Sequence, residues 1–143
     1  MSTCQLKITS KKENTEKVIV FVDNILKGAG CDEEALKKID ISIDEIFSNI
    51  VKYAYPDSEG DVYVTVDIPE ELSETNKRKT IISFEDTGIP YDPLQEKDPD
   101  ISGELKDRKP GGLGIFMVKN LMDKIEYEFK NGKNILKITK ENI

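Results

Sequence analysis

Between Asp61 and Ile68 apolar side chains recur at every second position, as Val62, Val64, Val66 and Ile68. A period of two is that of a half-buried strand. Cys4–Thr9 alternates in the same way and reads as a first strand, and Thr80–Asp86 as another. The polar stretch Pro69–Lys79 between the two central strands reads as a hairpin loop. Lys124–Lys130 and Lys133–Lys140 flank Asn131-Gly132, the favoured pair for a tight turn, and so form a last hairpin.

Elsewhere the period is helical. Val18, Phe21, Val22, Ile25 and Leu26 predict a first helix that ends near Gly28 or Gly30, residues suited to a left-handed cap. Asp32 is a plausible N-cap for the next one, with Glu33 and Glu34 in the first turn, where the helix dipole favours negative charge. Ala35, Leu36, Ile39, Ile43, Ile46, Phe47, Ile50 and Ala54 then keep one face apolar, which predicts one long helix closed by Pro56. Leu113–Asp123 is apolar on nearly all sides and predicts a buried helix. Asp92–Pro110 has no period and carries Pro93, Pro99 and Pro110. An irregular stretch of that length inside a compact domain is usually functional, often a lid.

The order is β-α-α-β-β, a long loop, then α-β-β. It predicts an α+β two-layer sandwich: a mixed, mostly antiparallel sheet with helices on one face. Neither an internal repeat nor a domain boundary is visible. The 143 residues are expected to form a single domain with its own core.

Composition narrows the chemistry. With 21 basic and 28 acidic residues the net charge is −7. That disfavours direct nucleic-acid binding, which needs basic surface to displace counterions, and disfavours anionic membranes for the same reason. The chain has no histidine, which excludes Ser–His–Asp and Cys–His catalysis, histidine-ligated zinc and a phospho-accepting histidine of its own. Cys4 and Cys31 form no CxxC pair, are too few for a structural zinc, and read as reduced thiols. Met1–Ser10 lacks the apolar core of a signal peptide, and no apolar run approaches the ~18 residues of a membrane span. A cytoplasmic location is the expectation.

Three clusters carry candidate chemistry. Glu45 and Asn49 are four apart on the long helix and point the same way. A carboxylate and an amide oxygen are hard donors suited to a magnesium ion that also holds phosphate, or to a general base beside it; two solvated polar residues are the plainer alternative. Asp86-Thr87-Gly88-Ile89-Pro90 ends an apolar strand. Its aspartate can accept from an exocyclic amine and its glycine lets backbone approach a flat ligand, although Asp, Gly and Pro also simply favour turns. Gly111-Gly112-Leu113-Gly114 opens the last helix, where exposed N–H groups and the dipole suit a phosphate. A hinge is the alternative there. The run fits neither the P-loop nor the dinucleotide fingerprint, since Met117 stands where a third glycine would be needed.

Taken in order, the clusters resemble the asparagine motif and the two glycine motifs of the Bergerat-fold ATPases, the superfamily of gyrase and the histidine kinases. Within it the chain is most similar to the anti-sigma-factor serine kinases of bacterial partner-switching systems. Glu45–Tyr55, with its closing Ala-Tyr, Asp86–Pro93, with its trailing Asp-Pro, and Gly111–Lys119 carry the resemblance, which covers nearly the whole chain. It implies that Asn49 holds the magnesium ion bridging the ATP phosphates and that Glu45 is the general base. It implies that Asp86 receives the adenine amine, that Gly88 makes room for the base, and that Pro90 belongs to the same motif. Leu94–Pro110 would be the ATP lid, with Lys106, Arg108 and Lys109 available to the γ-phosphate. Gly112, Leu113 and Gly114 would offer N–H groups to the phosphates, and Thr139 would touch adenine through water.

The activity so implied is ATP-dependent phosphorylation of a serine on a STAS-domain antagonist, by a homodimer that also holds a sigma factor inactive. A nucleotide-gated binding module without kinase activity is the alternative, and a histidine-kinase catalytic domain acting in trans is another. One departure is visible: many of these kinases carry histidine where this chain has Tyr53.

Overall fold

The computed structural model of the protein describes residues 2–95 and 112–143. Strand β1 is Ser2–Thr9, followed by helices α1 (Thr15–Gly28) and α2 (Glu33–Asn49). Strands β2 (Asp61–Ile68) and β3 (Thr80–Asp86) come next, then α3 (Gly112–Leu121) and the hairpin β4 (Lys124–Lys130) and β5 (Lys133–Lys140). The sheet order is β1-β2-β3-β5-β4.

The α+β two-layer expectation holds, and the sheet is antiparallel throughout rather than mixed. The reason is topological. β4 runs in the direction of β3, but the tight turn folds β5 back between them, so no two neighbours are parallel. Asn131 and Gly132 both take positive φ, 55° and 77°, as the two-residue turn requires.

Directly paired residues share a sheet face. Val62, Val64 and Val66 of β2, Ile82 and Phe84 of β3, and Leu136 and Ile138 of β5 therefore all point to one side. There they meet Val18, Val22 and Leu26 of α1 and Ile39, Ile43, Ile46 and Phe47 of α2, all buried in one cluster. Each such side chain is worth ~1.5–3 kcal/mol when taken out of water. Asp32 caps α2 as expected, accepting a 2.8 Å hydrogen bond from Ala35 N–H. Gly30, at φ 83°, ends the first helical segment.

Two helix expectations change. The long helix stops being α-helical at Asn49. Ile50–Ala54 form a π turn, in which Tyr55 N–H reaches back five residues to Ile50 O at 3.2 Å. The last helix is not buried on all sides. Ile115 and Val118 turn inward, while Leu113 and Met117, four apart and so on one face, are exposed. Among the described residues it packs against α2 and β4. The expected lid falls largely on residues 96–111, which lie outside the described residues together with Lys106, Arg108, Lys109 and Gly111.

Candidate functional site

One cross-strand row departs from the apolar pattern. Val62, Asp86, Asn134 and Phe129 lie side by side across β2, β3, β5 and β4, all facing the helices. An acid and an amide thus occupy positions where the next row has Phe84 and Leu136. Burying them is costly unless their hydrogen bonds are made. Here they are made to each other: Asn134 Nδ2 donates to Asp86 Oδ1 at 2.9 Å and to Ile89 O at 3.0 Å. Asn134 Oδ1 accepts from Tyr91 N–H at 3.1 Å and from the Tyr127 hydroxyl. Gly88 N–H also donates to Asp86 Oδ1, at 2.9 Å. Both bonds to Asp86 from the described residues fall on Oδ1, so Oδ2 retains its acceptor capacity. Burial pushes the Asp86 carboxyl upward, against the pull of the Asn134 and Gly88 donors.

The network holds a strap, Gly88–Asp92, over the end of the sheet. The far side of the strap is tied to the helix layer, where Ile89 N–H donates to Ala54 O at 2.8 Å. Gly88 lies directly on that carbonyl. A Cβ there would meet the Ala54 carbonyl oxygen and stand 2.8 Å from its carbon and 2.9 Å from its Cβ. Close approach of two backbones therefore demands glycine at this position. Tyr55 adds a second tie: its hydroxyl accepts from Thr87 N–H at 3.0 Å and donates to Asp61 O at 3.1 Å.

Between strap, sheet and helices lies a mostly apolar cleft. Asn49, Ile50 and Ala54 line its α2 side, Phe84, Asp86, Asn134 and Leu136 its sheet side, and Tyr91, Pro93, Ile115 and Tyr127 the rest. A largely apolar cavity with convergent polar groups at one end is the usual form of a small-molecule site. Glu45 sits one turn before Asn49, half-buried, with its carboxylate against the start of α3. A Cβ at Gly114 would collide with Glu45 Oε2. Among the described residues, no group of three or more Asp, Glu or Cys side chains is placed to hold a metal.

The residues singled out from sequence are thus distributed unevenly. Asn49 and Asp86 line one pocket, and Glu45 and Gly114 touch beside it. Gly112 opens α3 and Leu113 follows it, exposed. Pro90 is exposed on the strap and is absent from the pocket wall. Thr139 must be withdrawn as an adenine contact. It pairs with Ile81 and Lys124, so it has the opposite parity to Asn134, on the other face of the sheet and at its far end. Asn134 stands beside Asp86 instead. The available signal was its parity: it is the polar residue in the inward series Asn134, Leu136, Ile138.

The chain is similar to known proteins over most of its length. The model of the histidine kinase-like ATPase domain matches residues 8–140. A serine/threonine-protein kinase, BtrW of Bordetella bronchiseptica, is 31% identical over 97 residues, 67% of this chain and 63% of that protein, so the match spans less than two thirds of its length. The serine-protein kinase RsbW of Halalkalibacterium halodurans is 28% identical over 140 residues, 96% of this chain and 82% of that one. RsbW of Listeria monocytogenes is 26% identical over 136 residues, with 92% and 82% covered. Among solved structures, that of the RsbU and RsbW domains of Rv1364c from Mycobacterium tuberculosis superposes with a TM-score of 0.62 at 15% identity, over 98% of this chain and 32% of that one. That likeness concerns the fold. With a match over residues 8–140, the chain belongs to the histidine kinase-like ATPase domain family, in the company of the serine-protein kinases RsbW.

Proposed function

We propose that the protein binds Mg–ATP in this pocket and transfers the γ-phosphoryl group to a serine or threonine of a partner protein. The observation that carries the reading is the buried Asp86–Asn134 pair at the polar end of an apolar pocket whose helix wall bears Asn49. Asp86 Oδ2 is the acceptor for an exocyclic amine, which selects adenine over guanine. Ile50, Ala54, Phe84 and Leu136 enclose a flat base.

Asn49 supplies a neutral oxygen from the end of α2. A magnesium ion is commonly held by few protein ligands and completed by phosphate oxygens and water, so this sparse donor set fits it. When bound, the ion neutralises phosphate charge. Glu45 is the general base: one turn from Asn49, it takes the proton of an incoming hydroxyl. The N–H groups of Gly112, Leu113 and Gly114 at the start of α3 face the phosphates, as helix N-termini do. Gly114 has a second reason to lack a side chain, since Glu45 occupies the space. Catalysis then rests on positioning and charge neutralisation.

The similarity to RsbW and BtrW supports a partner-switching role. In that role the acceptor is a STAS-domain antagonist, the chain works as a homodimer in the cytoplasm, and it holds a sigma factor inactive. The acidic balance fits protein rather than nucleic-acid partners, and among the described residues no helix is long and apolar enough to cross a membrane.

The test is transfer from γ-labelled Mg–ATP into a lysate of the source cells, with wild type beside Glu45→Ala and an acid wash. An acid-stable small band seen with wild type alone is expected. Label lost to acid would point to a histidine acceptor. Full labelling by Glu45→Ala would remove that residue as the base. ADP binding without any labelling would favour the nucleotide-gated module.

A further inference from the structure

Tyr53 and Tyr91 are left over from the roles above. Tyr91 lines the pocket, and its backbone N–H is held by Asn134 Oδ1, on the amide that also grips Asp86. Its ring stacks on that of Tyr53, with centroids 4.6 Å apart and planes inclined by 24°. That is the separation of a favourable aromatic pair. Tyr53 does not line the pocket and is 37% exposed, so it backs Tyr91 from the solvent side. It sits there because of the π turn at Ile50–Ala54, whose extra residue changes the direction in which side chains leave the helix end.

We propose that Tyr91 is a nucleoside-contacting wall of the pocket and that Tyr53 is the positioning residue that clamps it. The proposal rests on the nucleotide reading above. A planar ring beside an apolar cavity, with an amine acceptor at one end, is complementary to a heteroaromatic base bearing an exocyclic amine. Stacking on Tyr53 removes the rotamer freedom that Tyr91 would otherwise lose when ligand binds, so binding carries a smaller ordering cost. The side chain at position 53 thereby acts on affinity rather than on transfer.

ADP binding to the full chain tests this without a protein substrate. The chain has five tyrosines and no tryptophan, so its intrinsic emission reports tyrosine surroundings directly. Tyr53→Ala is expected to weaken ADP binding roughly three- to tenfold, the scale of one aromatic pair. Tyr53→Phe, which keeps the ring, restores the affinity. Tyr91→Leu weakens binding at least as much and reduces the emission change that ADP causes, leaving the part due to Tyr127. Wild-type affinity in Tyr53→Ala, wild-type affinity in Tyr91→Leu, or Tyr53→Phe as weak as Tyr53→Ala would each overturn the clamp while leaving nucleotide binding intact. A wild type that binds no ADP would overturn the nucleotide reading and the clamp with it.

Discussion

Two pairs of polar side chains are withdrawn from solvent to different degrees in this fold, one fully and one in part, and they are handled in opposite ways. At the end of the sheet, Asp86 receives donors from Asn134 and Gly88. Between α1 and α2, Asp23 and Asp40 bring two carboxyls together, and each buries an Oδ1 that accepts no donor from the described residues. Burial first, and then the hydrogen bond and charge of Asp23, push Asp40 up to about 7, against the pull of Lys27. The amide partner keeps one acid's geometry fixed and an oxygen open. The acid partner makes the other site depend on the protonation of Asp40. A buried aspartate is therefore not a site by itself; its neighbour decides whether it presents an acceptor or stores a proton.

Removing the open oxygen breaks the comparison most severely. Asp86→Asn should lower ATP affinity roughly 10- to 100-fold, the scale of a charge-assisted hydrogen bond, as read by equilibrium titration. Unchanged affinity would mean that the base is recognised elsewhere. Converting one pair into the other is the sharper test. Asn134→Asp places a second carboxyl beside Asp86, which raises the pair further and makes ATP affinity fall more steeply with rising pH than in wild type. A level profile in the variant would show that strap and pocket do not depend on the amide.

The smallest effect belongs to the helix pair. Asp40 has a folded-state value raised above its unfolded one, so its contribution is present in full below the ordinary carboxyl range and is lost as pH rises through about 7. Asp40→Asn removes that loss. Its melting temperature should gain on wild type progressively from acid to mildly alkaline pH, by a few degrees at most because the site is partly exposed. Parallel melting curves for the two proteins would remove the Asp40 proton from the account.

The strands were legible because period-two alternation is a local property. Asp61–Ile68, Thr80–Asp86 and the Asn131-Gly132 hairpin can each be read without knowing what they pair with. Asp32 as a cap was legible for the same reason. The misreadings all depend on neighbours distant in sequence. Thr139 has suitable chemistry, but the register of β5 on β3 decides which face it takes, and that register turns Asn134 inward instead. The π turn at Ile50–Ala54 carries an ordinary helical pattern; the docking of Ile89 and Gly88 on Ala54 accompanies the departure. The stack of Tyr53 on Tyr91 joins residues from α2's end and the strap, which no periodicity links.

The strand order has a consequence for the sequence of events during folding. Asp86 and Asn134 are 48 positions apart and become neighbours only when β5 inserts between β3 and β4. The β1–β2 pairing likewise joins Ser2 to Ile68. Such non-local pairings are entropically expensive and form slowly. A chain still emerging from the ribosome carries Glu45, Asn49 and Asp86 long before it carries their partner strand. Nucleotide affinity should thus appear late and abruptly, with the closing hairpin, so that ATP binding reports completed folding.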